Sequence, residues 1–91
     1  MNVEHDAANH RFVVRTGGAE DAELAYATTG DGTLDLLHTY VPPEARDQGM
    51  ADALAHEAFR YARQNGRKII PSCHFVRGWL TSHPEERDLV A

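Results

Sequence analysis

Three groups of residues in this chain could do chemistry together. The first is the run Arg46-Asp47-Gln48-Gly49-Met50-Ala51, which leaves a strand-like segment through Val41-Pro42-Pro43 and enters an amphipathic stretch at a glycine. A helix that starts this way presents backbone N–H groups with no intrahelical partner. Those donors and the positive end of the helix dipole favour a phosphate. No Gly-Lys-Ser/Thr follows, so the run is not a P-loop. One glycine stands where a dinucleotide-binding turn has three. The second is Cys73, a thiol that can act as nucleophile or proton donor. The third is His38, whose imidazole titrates near neutral pH and suits a general base. Each has an ordinary reading as well. A cysteine at a strand end is often a small buried hydrophobe, and a single histidine is often a satisfied or surface residue.

The elements that must position these groups follow from the pattern. Asn9 to Arg15 alternates, with Phe12 and Val14 on one face and Arg11, Val13 and Arg15 on the other, which predicts a strand. Gly17-Gly18 marks a turn. Ala22 to Thr28 repeats the alternation with Leu24 and Tyr26, and Gly30-Asp31-Gly32 turns again. Thr33 to Val41 is a third strand, in which Leu34 and Leu36 share a face until Leu37 breaks the register; a bulge at Leu36-Leu37 accounts for the slip. Gln48 to Asn65 is the clearest helix, with Met50, Ala51, Leu54, Ala55, Ala58, Phe59 and Ala62 on one side and Gly66 as its stop. Lys68-Ile69-Ile70 forms a short strand ended by Pro71. A brief helix follows with a Phe75, Val76, Trp79, Leu80 stripe, closed by His83-Pro84. Leu89-Val90 would pin the tail. The class is α+β: an antiparallel three-strand meander, then helix, strand and helix with a right-handed parallel crossover. The helix N-terminus thereby opens beside the C-terminal end of the third strand, a common place for ligands.

Size and charge narrow the function. The chain has 91 residues, one domain spanning 1–91. A domain this small buries only about 60–65% of its unfolded surface, so its site should be shallow. The formal charge of −5 argues against direct nucleic-acid binding and would steer a basic substrate, although plain solubility is the more ordinary reading of it. One cysteine permits no internal disulfide and fits a reducing compartment. No run reaches transmembrane length, and the first residues lack a signal-peptide pattern, so a cytoplasmic setting without membrane partners is expected. The histidines include no His-x-x-x-His pair, and no metal is expected. His74 adjoins Cys73, and neighbours on a strand face opposite sides. Arg60, Arg63, Arg67 and Lys68 form a cationic group, either solvated or available to a terminal phosphate.

The segment Leu37-His38-Thr39-Tyr40-Val41-Pro42-Pro43 with the Arg46–Ala51 loop, read as Arg-x-x-Gly-x-Ala, resembles the small single-domain (Yjdj-type) branch of the GNAT N-acetyltransferases. Pro71-Ser72-Cys73, His83-Pro84-Glu85 and Asp88-Leu89-Val90 resemble it too, so the likeness covers nearly everything after Leu36. The resemblance implies a shortened GNAT acyltransferase fold, acetyl-CoA as cosubstrate and an amine as acceptor, whether a small amine or a basic peptide or protein. It implies that Arg46, Asp47, Gln48, Gly49, Met50 and Ala51 wrap the CoA pyrophosphate. Backbone groups of Thr39, Tyr40 and Val41 would pair with the pantetheine arm, and Cys73 and His38 would be catalytic. Direct transfer in a ternary complex, with Cys73 close to the CoA sulfur, is the favoured route, and an acetyl-Cys73 intermediate is the other. Asp47 departs from the family, which usually has glycine there. Its carboxylate lies where a diphosphate should sit; it either adopts left-handed geometry or caps the helix. A second departure is from the wider superfamily, where many members carry a tyrosine acid on the last helix; here the stripe has Phe75 and Trp79. A CoA-holding or protein-binding module without turnover is the alternative function. The molecule would be a monomer, or a weak homodimer through an exposed strand edge.

Overall fold

The computed structural model describes residues 1–91. Its sheet has five strands in sequence order: β1 (Glu4–Asp6), β2 (Arg11–Val14), β3 (Ala22–Thr28), β4 (Leu34–Tyr40) and β5 (Ile69–Pro71). The first four are antiparallel neighbours, and β4 pairs with β5 in parallel. Two helices, α1 (Met50–Gln64) and α2 (His74–Thr81), supply the crossover and the lid of the core. The expected meander and parallel step are present, with one strand more than the sequence indicated.

That extra strand, β1, has no apolar alternation of its own. Tertiary contacts hold it: Glu4 accepts from Arg15 Nε at 2.8 Å, and the His5 ring stacks on Phe12 at 4.4 Å. Asn9 and His10, read as the start of β2, instead form the turn between β1 and β2, with His10 at φ 51°.

Alternation places Phe12, Val14, Leu24, Tyr26, Leu34 and Leu36 on the face covered by both helices. Each large apolar side chain buried there contributes roughly 1.5–3 kcal/mol relative to exposure. From α1, Met50, Leu54, Ala55, Ala58, Phe59 and Ala62 are buried, and from α2, Val76, Trp79 and Leu80. Phe75 departs from the predicted stripe, being 36% exposed at the mouth of a cleft. Pro71 belongs to β5 instead of ending it. The tail is pinned as expected: Leu89 is buried, and Ala91 N–H donates to Ile69 C=O at 2.8 Å.

The bulge falls where the alternation broke. Tyr26 pairs with Leu36 and Ala25 with His38, so Leu37 is the additional residue. Without it, His38 would follow Leu34 and Leu36 onto the helix face. With it, Thr39 takes that face and His38 turns to the other. No helix is long and apolar enough to cross a membrane.

Candidate active site

The loop between β4 and α1 is anchored at Ala45, which is buried within a short 3-10 helix, Pro43–Ala45. Arg46 Nε donates to Val41 C=O at 3.0 Å, tying the loop to the end of β4 and leaving the terminal guanidinium N–H groups available. Asp47 has φ 65° and Gly49, the N-cap of α1, has φ 80°. No side chain caps the helix, so the capping role considered for Asp47 is not adopted. The N–H groups from Asp47 to Asp52 find no acceptor within the protein. Left-handed residues at a helix start with unpartnered N–H groups make the loop a candidate anion cradle. It opens into a cleft of about 380 Å³ bounded by Val41, Arg46, Asp47, Gly49 and Met50, with Phe75 across it.

Beside the loop, β4 and β5 part company. Their pairing covers Leu34, Asp35 and Leu36 only, and the last bond between them runs from Cys73 N–H to Leu36 C=O at 2.7 Å. Beyond that point β4 has β3 on one side and nothing on the other. The antiparallel ladder alternates, so backbone groups of Thr39 face the gap while those of Tyr40 face β3, and Val41, just past the strand, keeps an unpartnered N–H with its C=O held by Arg46. A linear polar ligand could therefore pair with Thr39 and Val41 as a strand would. Of the three backbone positions expected there, Tyr40 is turned away, and its hydroxyl donates to Glu20 at 3.0 Å.

Cys73 sits at the gap. It precedes the first residue of α2 in extended geometry and is 4% exposed, with Sγ 3.4 Å from Thr39 Oγ1. His38 and Cys73 are not in contact. The histidine lies on the opposite face of the sheet, exposed, with Nε2 3.3 Å from Glu23 Oε2. Glu23 also accepts from Arg11 at 2.9 Å. Asp35, on the same face, has a buried Oδ1 with no hydrogen-bond partner. His74 is exposed and begins α2, so its separation from the site comes from a helix start and not from strand alternation.

The cationic group lies elsewhere. Arg60 is paired with Glu57 and Gln64, and Arg63 with Glu86 and Asp88. Arg67 donates to Gly32 C=O at 3.1 Å and Lys68 to Asp88 C=O at 2.9 Å. Arg60 is ten residues along α1 from Met50, about 15 Å from the cradle at helical rise. Carboxylates that hydrogen-bond the Arg63 guanidinium raise its already high pKa. Sequence reasoning missed the hydroxyl of Thr39, the carboxylate of Glu23, and the contact of Asp52 Oδ1 with Trp79 Nε1–H at 2.9 Å. Only the last had a sequence signal, an acidic residue in the first helical turn.

A sheet that splays between its parallel strands, with an anion cradle at the mouth of the following helix, defines the acyltransferase class of α+β folds. The chain belongs to the GCN5-related N-acetyltransferase family, whose profile, described as GCN5-related N-acetyl-transferase, matches residues 11–89. It is similar to Protein NATD1 of Xenopus tropicalis, 34% identical over 85 residues that cover 92% of this chain and 78% of that protein. Protein NATD1 of Homo sapiens is 33% identical over 85 residues, covering 92% and 75%. The Danio rerio protein of that name is 31% identical over 90 residues, covering 98% and 82%.

Proposed function

We propose that this chain binds acetyl-CoA and transfers its acetyl group directly to an amine, in a reducing cytoplasmic setting that suits its one free thiol. The observation that carries the reading is the meeting of the unclaimed Asp47–Asp52 N–H groups with the gap beside Thr39 and Val41. Acetyl-CoA supplies the acetyl group as a thioester. The N–H row, Gly49 and the Arg46 guanidinium hold the diphosphate, with Gln48, Met50 and Ala51 completing the turn. Thr39 and Val41 hold the pantetheine arm by backbone pairing. The Val41 N–H, which has no protein acceptor, polarises the thioester carbonyl.

His38, oriented by Glu23, takes the proton of the incoming ammonium from the far face of the sheet. The new C–N bond forms as the C–S bond breaks. Cys73 delivers its thiol proton to the departing sulfur, and the second proton that the nitrogen sheds on becoming an amide returns to the Cys73 thiolate through solvent and the Thr39 hydroxyl at 3.4 Å. Asp35, Glu23 and Glu20 lend that face negative character, which supports a cationic acceptor such as a lysine side chain. Acetyl transfer to lysine peptides and small amines tests the reading. Turnover should fall at least about tenfold in Cys73→Ala and in His38→Ala while acetyl-CoA affinity is kept. Full turnover in both variants would refute the assignment of these residues.

Asp47 favours a second reading, a module that holds CoA without turnover, because its carboxylate opposes a diphosphate. Acetyl-CoA binding with no transfer to any amine would support it.

A further inference from the structure

Asp52 and His56 are four residues apart on α1, and His83 comes from the turn after α2. One ligand atom from each lies within 4.8 Å of the others. Trp79 organises all three. Its indole N–H donates to Asp52 Oδ1, which leaves Oδ2 turned towards His56 Nε2 at 3.6 Å. Its carbonyl accepts a 2.8 Å hydrogen bond from His83 Nδ1, which puts the proton on Nδ1 and leaves the Nε2 lone pair unused. The His83 ring stacks on the indole at 3.9 Å, and the His56 ring meets both rings edge-on at 5.1 Å.

Three features separate this cluster from an ordinary helical Asp–His pair. The 3.6 Å separation exceeds a hydrogen bond. It is close to the edge of a tetrahedron with metal–ligand bonds of about 2.0–2.1 Å, roughly 3.3 Å. Asp52 Oδ1 and His83 Nδ1 already hold the outer hydrogen bonds that usually orient metal ligands. The third ligand comes from a distant segment, so occupancy would join two elements. Two imidazoles and a carboxylate are a donor set for zinc-class ions.

We propose that Asp52, His56 and His83 form a site for a zinc-class divalent cation that clips the first half of α1 to the turn after α2. The expectation of no metal rested on the absence of a His-x-x-x-His pair and on a single cysteine, which cannot build a common zinc site. Asp52-x-x-x-His56 has that spacing with a carboxylate in one place, and folding brings the third ligand.

The test uses Zn²⁺ itself, titrated calorimetrically into the Cys73→Ser protein so that the thiol does not compete. One equivalent should bind with micromolar affinity and raise the melting temperature. His56→Gln and His83→Gln should each weaken binding at least tenfold, while His74→Gln should not. The chain has one tryptophan, so Co²⁺ should quench Trp79 fluorescence in the parent and not in the two ligand variants. Melting each variant in EDTA shows that it is folded. Absence of zinc heat and of quenching in the folded parent would overturn the proposal. So would equal binding by the parent, His56→Gln and His83→Gln.

Discussion

Replacing Asp47 separates the two effects that this residue has on the cradle. Its side chain is exposed and its φ of 65° is in the left-handed region. Left-handed geometry costs an ordinary L-residue about 1–2 kcal/mol, and aspartate less. Glycine would relieve that cost but adds unfolded-state freedom of about 0.4–1 kcal/mol. Asp47→Gly should therefore shift stability little. Charge acts on binding instead. A carboxylate about 7 Å from a diphosphate of about −2 charge is disfavoured by about 1.5 kcal/mol at an effective dielectric near 60. Screening at 0.15 M ionic strength reduces this to about 0.7 kcal/mol. Asp47→Asn, which keeps left-handed tolerance and removes the charge, should then bind acetyl-CoA about threefold tighter at that salt and about tenfold tighter at low salt. Calorimetric titration of the parent, Asp47→Asn and Asp47→Gly at two salt concentrations reads this out. Affinity unchanged or weakened in Asp47→Asn at low salt would refute the placement of a diphosphate beside this loop.

Gly49→Ala meets no steric obstacle but must hold φ 80°. It should destabilise the fold by about 1 kcal/mol in urea titration, and weaken acetyl-CoA binding as the cradle distorts. Asp35→Asn should raise the acceptor KM severalfold and leave acetyl-CoA affinity unchanged in steady-state kinetics, because the buried Oδ1 lies on the acceptor face. His5 is packed between Phe12 and Tyr61 and hydrogen-bonded to the Tyr26 hydroxyl at 2.6 Å, and burial lowers its pKa below 6.5. The unfolded chain then binds more protons between the two pKa values. Stability is full above pH 6.5 and declines as pH falls through the folded value. Urea midpoints at pH 7.5 and 5.5 should differ less in His5→Phe than in the parent; an equal difference would contradict this. Asp31 is held at about pKa 2 by the Thr29 hydroxyl and the Thr33 N–H. Its contribution is present above its ordinary 3.8 and lost as pH falls towards 2, so Asp31→Asn should flatten the acid-unfolding curve in that window.

What the sequence made legible was whatever local pattern controls. The α1 face was readable because a helix of this length declares its buried side. The Leu37 bulge was readable because one residue broke a strict alternation. Asp47 stood out against the glycine that the family resemblance implies, with left-handed geometry or helix capping as its options, and it adopts the first. Features set by distant partners were hidden. The strand Glu4–Asp6 exists through the arginine and aromatic contacts of β2 and α1, and its own three residues carry no pattern. The separation of His38 from Cys73 follows from the bulge, but only the register shows which side of the sheet each occupies. Arg60 and Arg63 looked available in sequence, whereas folding commits them to carboxylates far from the cradle. The Asp52–His56–His83 cluster needs a turn that returns from α2, which no spacing rule along one helix contains.

Under the proposed function, the Asp47–Asp52 N–H groups and the open edge of β4 receive acetyl-CoA. The most direct measurement follows backbone amide resonances of the ¹⁵N-labelled protein as acetyl-CoA is added. Saturable shifts, in the micromolar range, should concentrate at Asp47 to Asp52, Thr39 and Val41, with small changes along β1 and the C-terminal half of α1. No shifts in the folded protein, or shifts centred away from the loop and the gap beside β4, would contradict it.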